Sequence, residues 1–155
     1  MIISVWRVVK SRYSAASLTG EGARLYGGRW TSPGQPVAYC AQHLSLAILE
    51  ILVHIESKDM LKSYVKVKLE IQSSQIEILD ESKLPTTWKM PFPGPELQRI
   101  GDRWLASQSS LVLGIPSVIV PEEINYLINP LHPEFQLSNN AILEPLALDS
   151  RLVTK

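Results

Sequence analysis

The chain has 155 residues, 45% apolar and 19% charged, and its 15 basic residues balance its 15 acidic residues. This composition excludes a disordered chain, which would combine low hydropathy with high net charge, and it suits one domain with one buried core. The zero net charge argues against binding of nucleic acid backbones, since such domains carry a basic excess or a basic face. The single cysteine, Cys40, can form neither an internal disulfide nor a zinc site by itself.

The first residues of the chain do not resemble a signal peptide, because no charged segment precedes a long apolar one. The longest uncharged apolar stretches run to about ten residues, short of the roughly 20 that span a bilayer. We therefore expect a cytoplasmic protein.

The chain begins with a predicted strand and a long loop. Residues 2–9 are rich in β-forming residues and apolar on both faces, which predicts an interior strand in which Arg7 replaces a hydrophobic residue. Residues 14–36 are rich in glycine and proline and predict a loop. A loop of this length inside a compact domain is typical of a functional segment, and this one carries Tyr26 and Arg29.

A short strand over 37–41, with Tyr39 at its centre, and a helix over 45–55 follow the loop. The helix is apolar almost all round, which predicts that it is buried. Its narrow polar stripe consists of His43, Glu50 and His54. Because an unpaired buried carboxylate is costly, we expect Glu50 to pair with an arginine or to be protonated.

The rest of the chain predicts more strand than helix. Residues 62–71 alternate between apolar and polar, which predicts a half-exposed antiparallel strand with Tyr64 facing outward. Pro145 interrupts the last strand and so predicts that it lies at a sheet edge. Strands are predicted over 76–79, 117–120 and 141–148, a short element over 123–128, a loop over 85–95 and a helix over 95–107.

A set of polar residues is a candidate for chemistry. Arg29 follows two glycines, an arrangement that lets the backbone approach a ligand while the guanidinium binds an anion, although an ordinary turn is the alternative. Arg7 has the alternative of extending its head to water at a sheet edge, and Tyr39 and Ser117 have the alternative of ordinary packing.

These residues together suit a ligand that carries a diphosphate and a ribose. Arginines bind phosphates through two hydrogen bonds, and the Glu50 carboxylate could bind ribose hydroxyls and oppose positive charge on an anomeric carbon. That is the chemistry of NAD glycosidic-bond cleavage. The patterns GxxxxGK[ST], GxGxxG, GxSxG, CxxC and HExxH are absent, and we expect no metal site.

A series of short motifs follows along nearly the whole chain. In order they are Val5-Trp6-Arg7-Val8, Gly20-Glu21-Gly22-Ala23, Gly27-Gly28-Arg29-Trp30, Pro36-Val37-Ala38-Tyr39, Ala47-Ile48-Leu49-Glu50, Gly101-Asp102-Arg103-Trp104, Pro116-Ser117-Val118-Ile119-Val120-Pro121, Asn125, Asn129-Pro130 and His132-Pro133-Glu134-Phe135. Their order and spacing resemble the RES domain, a family named after its arginine, glutamate and serine.

The resemblance implies one RES domain over residues 1–155, with a mixed α/β (α+β) fold. The expected sheet is split and mostly antiparallel, with flanking helices around an NAD cleft, similar to ADP-ribosyltransferase toxins. The resemblance also implies a bacterial toxin of a type II toxin–antitoxin pair that depletes cellular NAD+ by hydrolysis or phosphorolysis. NAD+ would be the substrate and inorganic phosphate a candidate co-substrate, with no permanently bound cofactor and no metal.

The family's functional residues map onto this chain by position. The resemblance implies that Arg7 and Arg29 bind the diphosphate or the attacking phosphate and that Tyr39 contacts the nicotinamide side. Glu50 would serve the ribose and the transition state, and Ser117 would complete the cleft.

Two further residues of the long loop bear on that site. Tyr26 is an additional candidate for binding the dinucleotide. Thr31 stands where the family usually has asparagine, and because its hydroxyl still forms a hydrogen bond, we expect it to tune activity rather than abolish it.

Two other functions remain open at this point. The same NAD site could transfer ADP-ribose to a host protein, for which the 85–95 loop could dock the target. A non-catalytic module that only binds the antitoxin is the third reading, but such a module would be expected to lose Glu50 or the arginines. The expected partner is an Xre-family helix-turn-helix antitoxin that blocks the NAD cleft, and a homo-oligomer within that complex is compatible with the sequence.

Overall fold

The computed structural model describes residues 1–56, 63–135 and 141–152. Within these residues seven strands form one sheet in the order β4-β5-β6-β2-β1-β3-β7. The strands are β1 (Ile2–Lys10), β2 (Ala38–Ala41), β3 (Tyr64–Gln72), β4 (Ile76–Ile78), β5 (Val112–Pro116), β6 (Ile124–Ile128) and β7 (Ala141–Leu146). Neighbours are antiparallel except β4 and β5, which are parallel. The predicted mixed α/β class with a mostly antiparallel sheet is confirmed.

Three α-helices accompany the sheet in the described ranges. They are α1 (Glu21–Tyr26), α2 (Leu44–Leu52) and α3 (Glu96–Ser107), with short 3-10 segments at Ser11–Ala16, Ser73–Gln75, Glu81–Lys83 and Ser150–Leu152. None of the helices that the structure describes is long and apolar enough to cross a membrane.

The sheet is nearly divided between β1 and β2. β1 pairs with β3 along its whole length but with β2 at a single position, Trp6 opposite Ala41. Arg7, the next residue of β1, therefore stands where the two strands separate. Its Nη1 donates a 2.7 Å hydrogen bond to the carbonyl oxygen of Tyr39 on β2, so a side chain continues the connection that the backbone does not make.

The core lies on both faces of the sheet. Alternate residues of a strand point to opposite faces, so Ala38 and Cys40 of β2 contribute to one face while Tyr39 and Ala41 contribute to the other. The first face holds a cluster formed mainly by β1, β3, β5 and β6. The second face is covered by α2 and α3, which pack over separate clusters. Both helices thus lie on the same face of the sheet.

The prediction of a buried α2 was wrong. Leu46 and Ala47 are buried against β1 and β2, but Leu49 and Val53 are 40% and 61% exposed. Only one side of the helix contacts the sheet, and the other side lies outward in the part of the chain that is described. The prediction that Tyr64 faces outward was also wrong. Its side chain is 2% exposed and packs with Leu46 beneath α2.

Two elements differ from the predicted boundaries. The predicted strand over 117–120 is a turn, because β5 ends at Pro116 and the Ser117 hydroxyl accepts hydrogen bonds from the next backbone N–H groups. The predicted loop over 14–36 contains α1, whose glycine-containing sequence gives little helical signal. The strand over 62–71 is confirmed from Tyr64 onward, and residue 62 lies outside the described residues.

Cys40 provides a test of the packing around β2. Its side chain is 5% exposed, and burial raises the pKa of the thiol to about 12 although Arg7 acts in the opposite direction. The thiol therefore stays protonated at neutral pH and is covered, so we expect slow reaction with an aromatic disulfide reagent in the native chain and rapid, complete reaction in denaturant. Absorbance of the released thiolate measures both rates. Equal rates in the two conditions would contradict the packing described for β2.

Candidate active site where the sheet opens

The Glu50 carboxylate lies at the centre of the candidate site. Glu50 projects from α2, and its Oε1 accepts a 2.9 Å hydrogen bond from the Ser117 hydroxyl and a 2.7 Å hydrogen bond from Nδ2 of Asn125. The expectation that Glu50 pairs with an arginine is therefore corrected, since its hydrogen-bond partners among the described residues are two neutral donors. Both of these bonds go to one oxygen, so neither of them occupies Oε2.

Ser117 is fully buried and its hydroxyl has a fixed direction. The backbone N–H groups of Ile119 and Val120 each donate to Ser117 Oγ at 3.1 Å. Because the oxygen accepts both of these bonds, its own hydrogen is directed to Glu50. The turn after β5 thus orients the Ser117 hydroxyl so that it donates to the Glu50 carboxylate.

Asn125 is a site residue to which the sequence analysis gave no role. It lies on β6 opposite Ala41 of β2 and Ile115 of β5, on the face that α2 covers. The available signal was a polar residue in the otherwise apolar strand Ile124–Ile128, at a position within the family motifs. Its Oδ1 is buried and has no hydrogen-bond partner among the described residues.

Arg7 is held at the opening of the sheet. Burial lowers the pKa of its guanidinium, while Cys40 and Tyr39 raise it. An arginine remains charged at neutral pH even when it is buried in this way. Its Nε is buried without a partner in the described structure. Because β1 lies inside the sheet, the alternative in which Arg7 extends to water at a sheet edge is wrong. The geometry leaves a buried donor at the point where β1 and β2 part.

Arg29 connects its turn to the proline-rich loop. Its Nη1 donates to the carbonyl oxygens of Trp88 at 3.1 Å and Met90 at 2.8 Å, and its Nη2 donates to that of Pro91 at 3.5 Å. Burial lowers the pKa of Arg29, and the negative charge of Glu50 raises it. Arg29 therefore lies within electrostatic range of Glu50, and these carbonyl bonds do not use its Nε.

Tyr39 packs tightly behind these groups. Its hydroxyl shares a 2.9 Å hydrogen bond with Thr31 Oγ1, and burial raises the pKa of the phenol. A Cβ at Gly28 would lie 2.5 Å from the Tyr39 hydroxyl oxygen, so a larger residue at this position would displace the tyrosine ring. Thr31 is fully buried, and its hydroxyl serves to hold the tyrosine.

Tyr26 stands apart from the other predicted site residues. It is the last residue of α1 and is 83% exposed. No hydrogen bond in the described structure joins it to Glu50, Arg7 or Arg29. The structure thus joins Glu50 to Ser117 and Arg7 to Tyr39, and it places Arg29 within range of Glu50. The role of Tyr26 in dinucleotide binding stays a prediction.

Comparison with known proteins identifies the family. The RES domain matches residues 4–149 of the chain. The chain belongs to the RES domain family. The resemblance recognised from the sequence motifs is confirmed, and Arg7, Glu50 and Ser117 all lie inside the matched region.

Several RES relatives are similar over nearly their whole length. A protein named Toxin Res from Yersinia enterocolitica is 42% identical over 151 residues, which cover 96% of this chain and 98% of the relative. A Toxin Res from Photorhabdus laumondii is 38% identical over 150 residues, with 96% of both chains covered. A protein named Prs ADP-ribosylating toxin from Sphingobium sp. is 34% identical over 160 residues, covering 100% of this chain and 99% of the relative.

The RES fold is also found in a solved structure. A chain in the crystal structure of the M. tuberculosis MbcT–MbcA toxin–antitoxin complex superposes with a TM-score of 0.76, covering 98% of this chain and 87% of that chain. The sequence identity is 16%, so this likeness shows the shared fold.

The described site combines the carboxylate of Glu50 with the positive charge of Arg29. A carboxylate oriented by neutral donors favours positive charge in a ligand, while a guanidinium group favours negative charge nearby. Among the described residues, no group of three His, Cys, Asp or Glu side chains is placed to hold a metal ion.

Proposed function

We propose that this chain is the toxin of a toxin–antitoxin pair and that it cleaves the bond between nicotinamide and ribose in NAD+. The observation that carries this proposal is the Glu50 carboxylate, held at Oε1 by Ser117 and Asn125 and within range of the Arg29 charge. A carboxylate fixed in this way stabilises positive charge without a change in its own position.

The proposed reaction needs this stabilisation because nicotinamide leaves as a neutral molecule, and the positive charge that it carried in NAD+ passes to the ribose. The bond between the ribose C1′ and the nicotinamide nitrogen breaks, and nicotinamide leaves with the bonding electron pair. The ribose then carries oxocarbenium-like positive charge, which Glu50 faces. Water attacks this anomeric carbon and loses a proton to solvent to give ADP-ribose, or phosphate attacks it to give ADP-ribose-1″-phosphate, where 1″ denotes the same carbon. An oriented carboxylate is the group that other glycosidic-bond enzymes use for such a charge.

The other site residues have complementary roles in this proposal. Arg7 and Arg29 bind the diphosphate or the attacking phosphate, because guanidinium groups form paired hydrogen bonds with phosphate oxygens. Support comes from the unpartnered Nε of Arg7 at the opening of the sheet. Tyr39, fixed by Thr31, contacts the nicotinamide side, and Ser117 completes the cleft.

The proposed partner is an antitoxin. Two of the relatives carry the name Toxin Res, and the solved neighbour of the same fold was crystallised as a toxin–antitoxin complex. For this chain we propose an Xre-family helix-turn-helix antitoxin that covers the NAD cleft. A DNA-binding partner would also explain why the chain has no basic excess of its own.

A second candidate function is transfer of ADP-ribose to a protein. The Sphingobium relative, which this chain matches over its full length, is named an ADP-ribosylating toxin. The same bond to nicotinamide would break, and a protein side chain would replace water or phosphate as the acceptor.

Expression in cells without an antitoxin separates the two candidates. The total NAD content and the amount of ADP-ribosylated protein are measured while growth slows, with the Glu50→Gln variant as the inactive reference. We expect NAD to fall before growth stops, without a modified protein. Growth arrest at constant NAD content, accompanied by a modified protein band, would favour the second function instead.

Replacing Arg29 with lysine should weaken NAD binding. An ammonium group cannot replace the planar fork of a guanidinium, and lysine cannot maintain the three bonds to the 88–91 carbonyl oxygens. We expect KM for NAD to rise about 10-fold, equivalent to roughly 1.4 kcal/mol, with a smaller change in kcat. The matched control is Arg24→Lys, since Arg24 is exposed on α1 and pairs with Glu21. Unchanged KM in Arg29→Lys would remove this residue from the site.

A further inference from the structure

The segment that carries Arg29 is a tight turn. The Gly28 N–H donates a 2.9 Å hydrogen bond to the carbonyl oxygen of Thr31, so the chain doubles back with Arg29 and Trp30 between the two bonded residues. The Trp30 side chain is 3% exposed and belongs to the core under α3, whereas the Arg29 guanidinium donates to the carbonyl oxygens of residues 88–91. The position of that guanidinium therefore depends on the backbone of this turn as well as on the 88–91 carbonyl oxygens.

Gln98 of α3 binds the turn at both ends. Its Nε2 donates to the carbonyl oxygens of Gly28 at 3.0 Å and Thr31 at 3.3 Å. A side-chain amide has two N–H groups, so one amide can serve both carbonyl oxygens. One half-buried side chain thus spans the opening of the turn.

The helix that supplies Gln98 is itself a rigid support. Asp102, four residues later and on the same face of α3, accepts hydrogen bonds from the backbone N–H of Ser32 at 3.0 Å and from its hydroxyl at 2.6 Å. Leu97 and Trp104 anchor α3 in the core. Movement of the Arg29 turn relative to α3 would break the Gln98 and Asp102 bonds together.

We propose that Gln98 is a positioning residue that fixes the Arg29 turn so that the guanidinium meets the phosphates of the substrate. This inference rests on the proposed function, because it assigns Arg29 to phosphate binding. Gln98 itself acts through the turn and does not touch the substrate. Loss of its two hydrogen bonds leaves Arg29 charged but less well directed, so the loss appears in substrate affinity.

The test measures NAD affinity by calorimetry in the Glu50→Gln background, which prevents turnover. In that background Gln98→Met keeps the side-chain length and removes both donors. We expect it to raise Kd for NAD about 3- to 10-fold at unchanged stoichiometry, the range for loss of ordinary hydrogen bonds. A partly unfolded sample would instead lower the stoichiometry, so affinity and folding are read separately. Ala106→Met, at an exposed position of the same helix, is the control and should leave Kd unchanged.

A double-mutant cycle with Arg29→Ala shows whether Gln98 acts through Arg29. We expect Gln98→Met to have little further effect once Arg29 is removed, because the two residues serve one contact. Gln98→Glu provides a second variant, in which a carboxylate faces two carbonyl oxygens and should raise Kd at least as much as methionine does.

The outcomes separate this inference from the proposed function. Unchanged Kd in both Gln98 variants, or a full additional loss in the Arg29→Ala background, would overturn the role of Gln98 alone. Absence of NAD binding by the Glu50→Gln chain itself would overturn the proposed function and this inference together.

Discussion

Replacing Glu50 with glutamine should leave the chain folded and reduce kcat for NAD cleavage about 10²- to 10³-fold, equivalent to roughly 3–4 kcal/mol of transition-state stabilisation. The glutamine carbonyl oxygen can still accept the bonds from Ser117 and Asn125, so the shape of the site is kept. What is lost is the negative charge that, in the proposed function, faces the ribose as nicotinamide leaves. Initial rates of nicotinamide release measure the change.

The control for this variant is a carboxylate outside the site. Glu81 is exposed at the start of a short 3-10 segment, and Glu81→Gln should retain wild-type activity. A Glu50→Gln chain that releases nicotinamide at the wild-type rate would show that the charge of Glu50 has no part in the chemistry.

Replacing Gly101 with alanine should lower the free energy of unfolding by about 3 kcal/mol, near the upper end of the range for overpacking. Gly101 is buried on α3 where the helix meets the Arg29 turn, and a Cβ there would overlap the carbonyl oxygen of Trp30. The helix must move away from the turn, which weakens the Gln98 and Asp102 bonds as well. Denaturant titration followed by circular dichroism measures the loss.

Gly22 is the matched control for this prediction. It lies within α1, and apart from its chain neighbours and the helix backbone no atom of the described residues stands within 4 Å of a Cβ placed there. Gly22→Ala should therefore keep or slightly raise stability, by up to about 1 kcal/mol, because alanine favours the helix. Equal stabilities for the Gly101→Ala and wild-type chains would contradict the close contact between α3 and the turn.

The local features of the fold could be predicted from the sequence. A run of β-forming residues identified β1, alternation identified β3, and Arg7 was recognised as a charge inside an apolar strand. Pro145 correctly indicated an edge strand, since β7 ends the sheet. Such features depend on residues close together in the chain, which is why their patterns are visible in it.

The contacts of the site could not be predicted from periodicity. A carboxylate in an apolar helix indicates that a partner is needed, but the partners of Glu50 lie 67 and 75 residues away in sequence. Arginines were expected, whereas the fold supplies Ser117 and Asn125. The exposed side of α2 was missed for a similar reason, because hydrophobicity does not show how many faces of a helix the sheet covers.

Direct incubation with the substrate tests whether this chain breaks the bond between nicotinamide and ribose in NAD+. The purified chain, free of its antitoxin, is incubated with NAD+ in the presence and absence of inorganic phosphate, and the products are separated by chromatography. We predict release of nicotinamide, together with ADP-ribose-1″-phosphate if phosphate is the acceptor or free ADP-ribose if water is. Intact NAD+ in both incubations would contradict the proposed cleavage of NAD+.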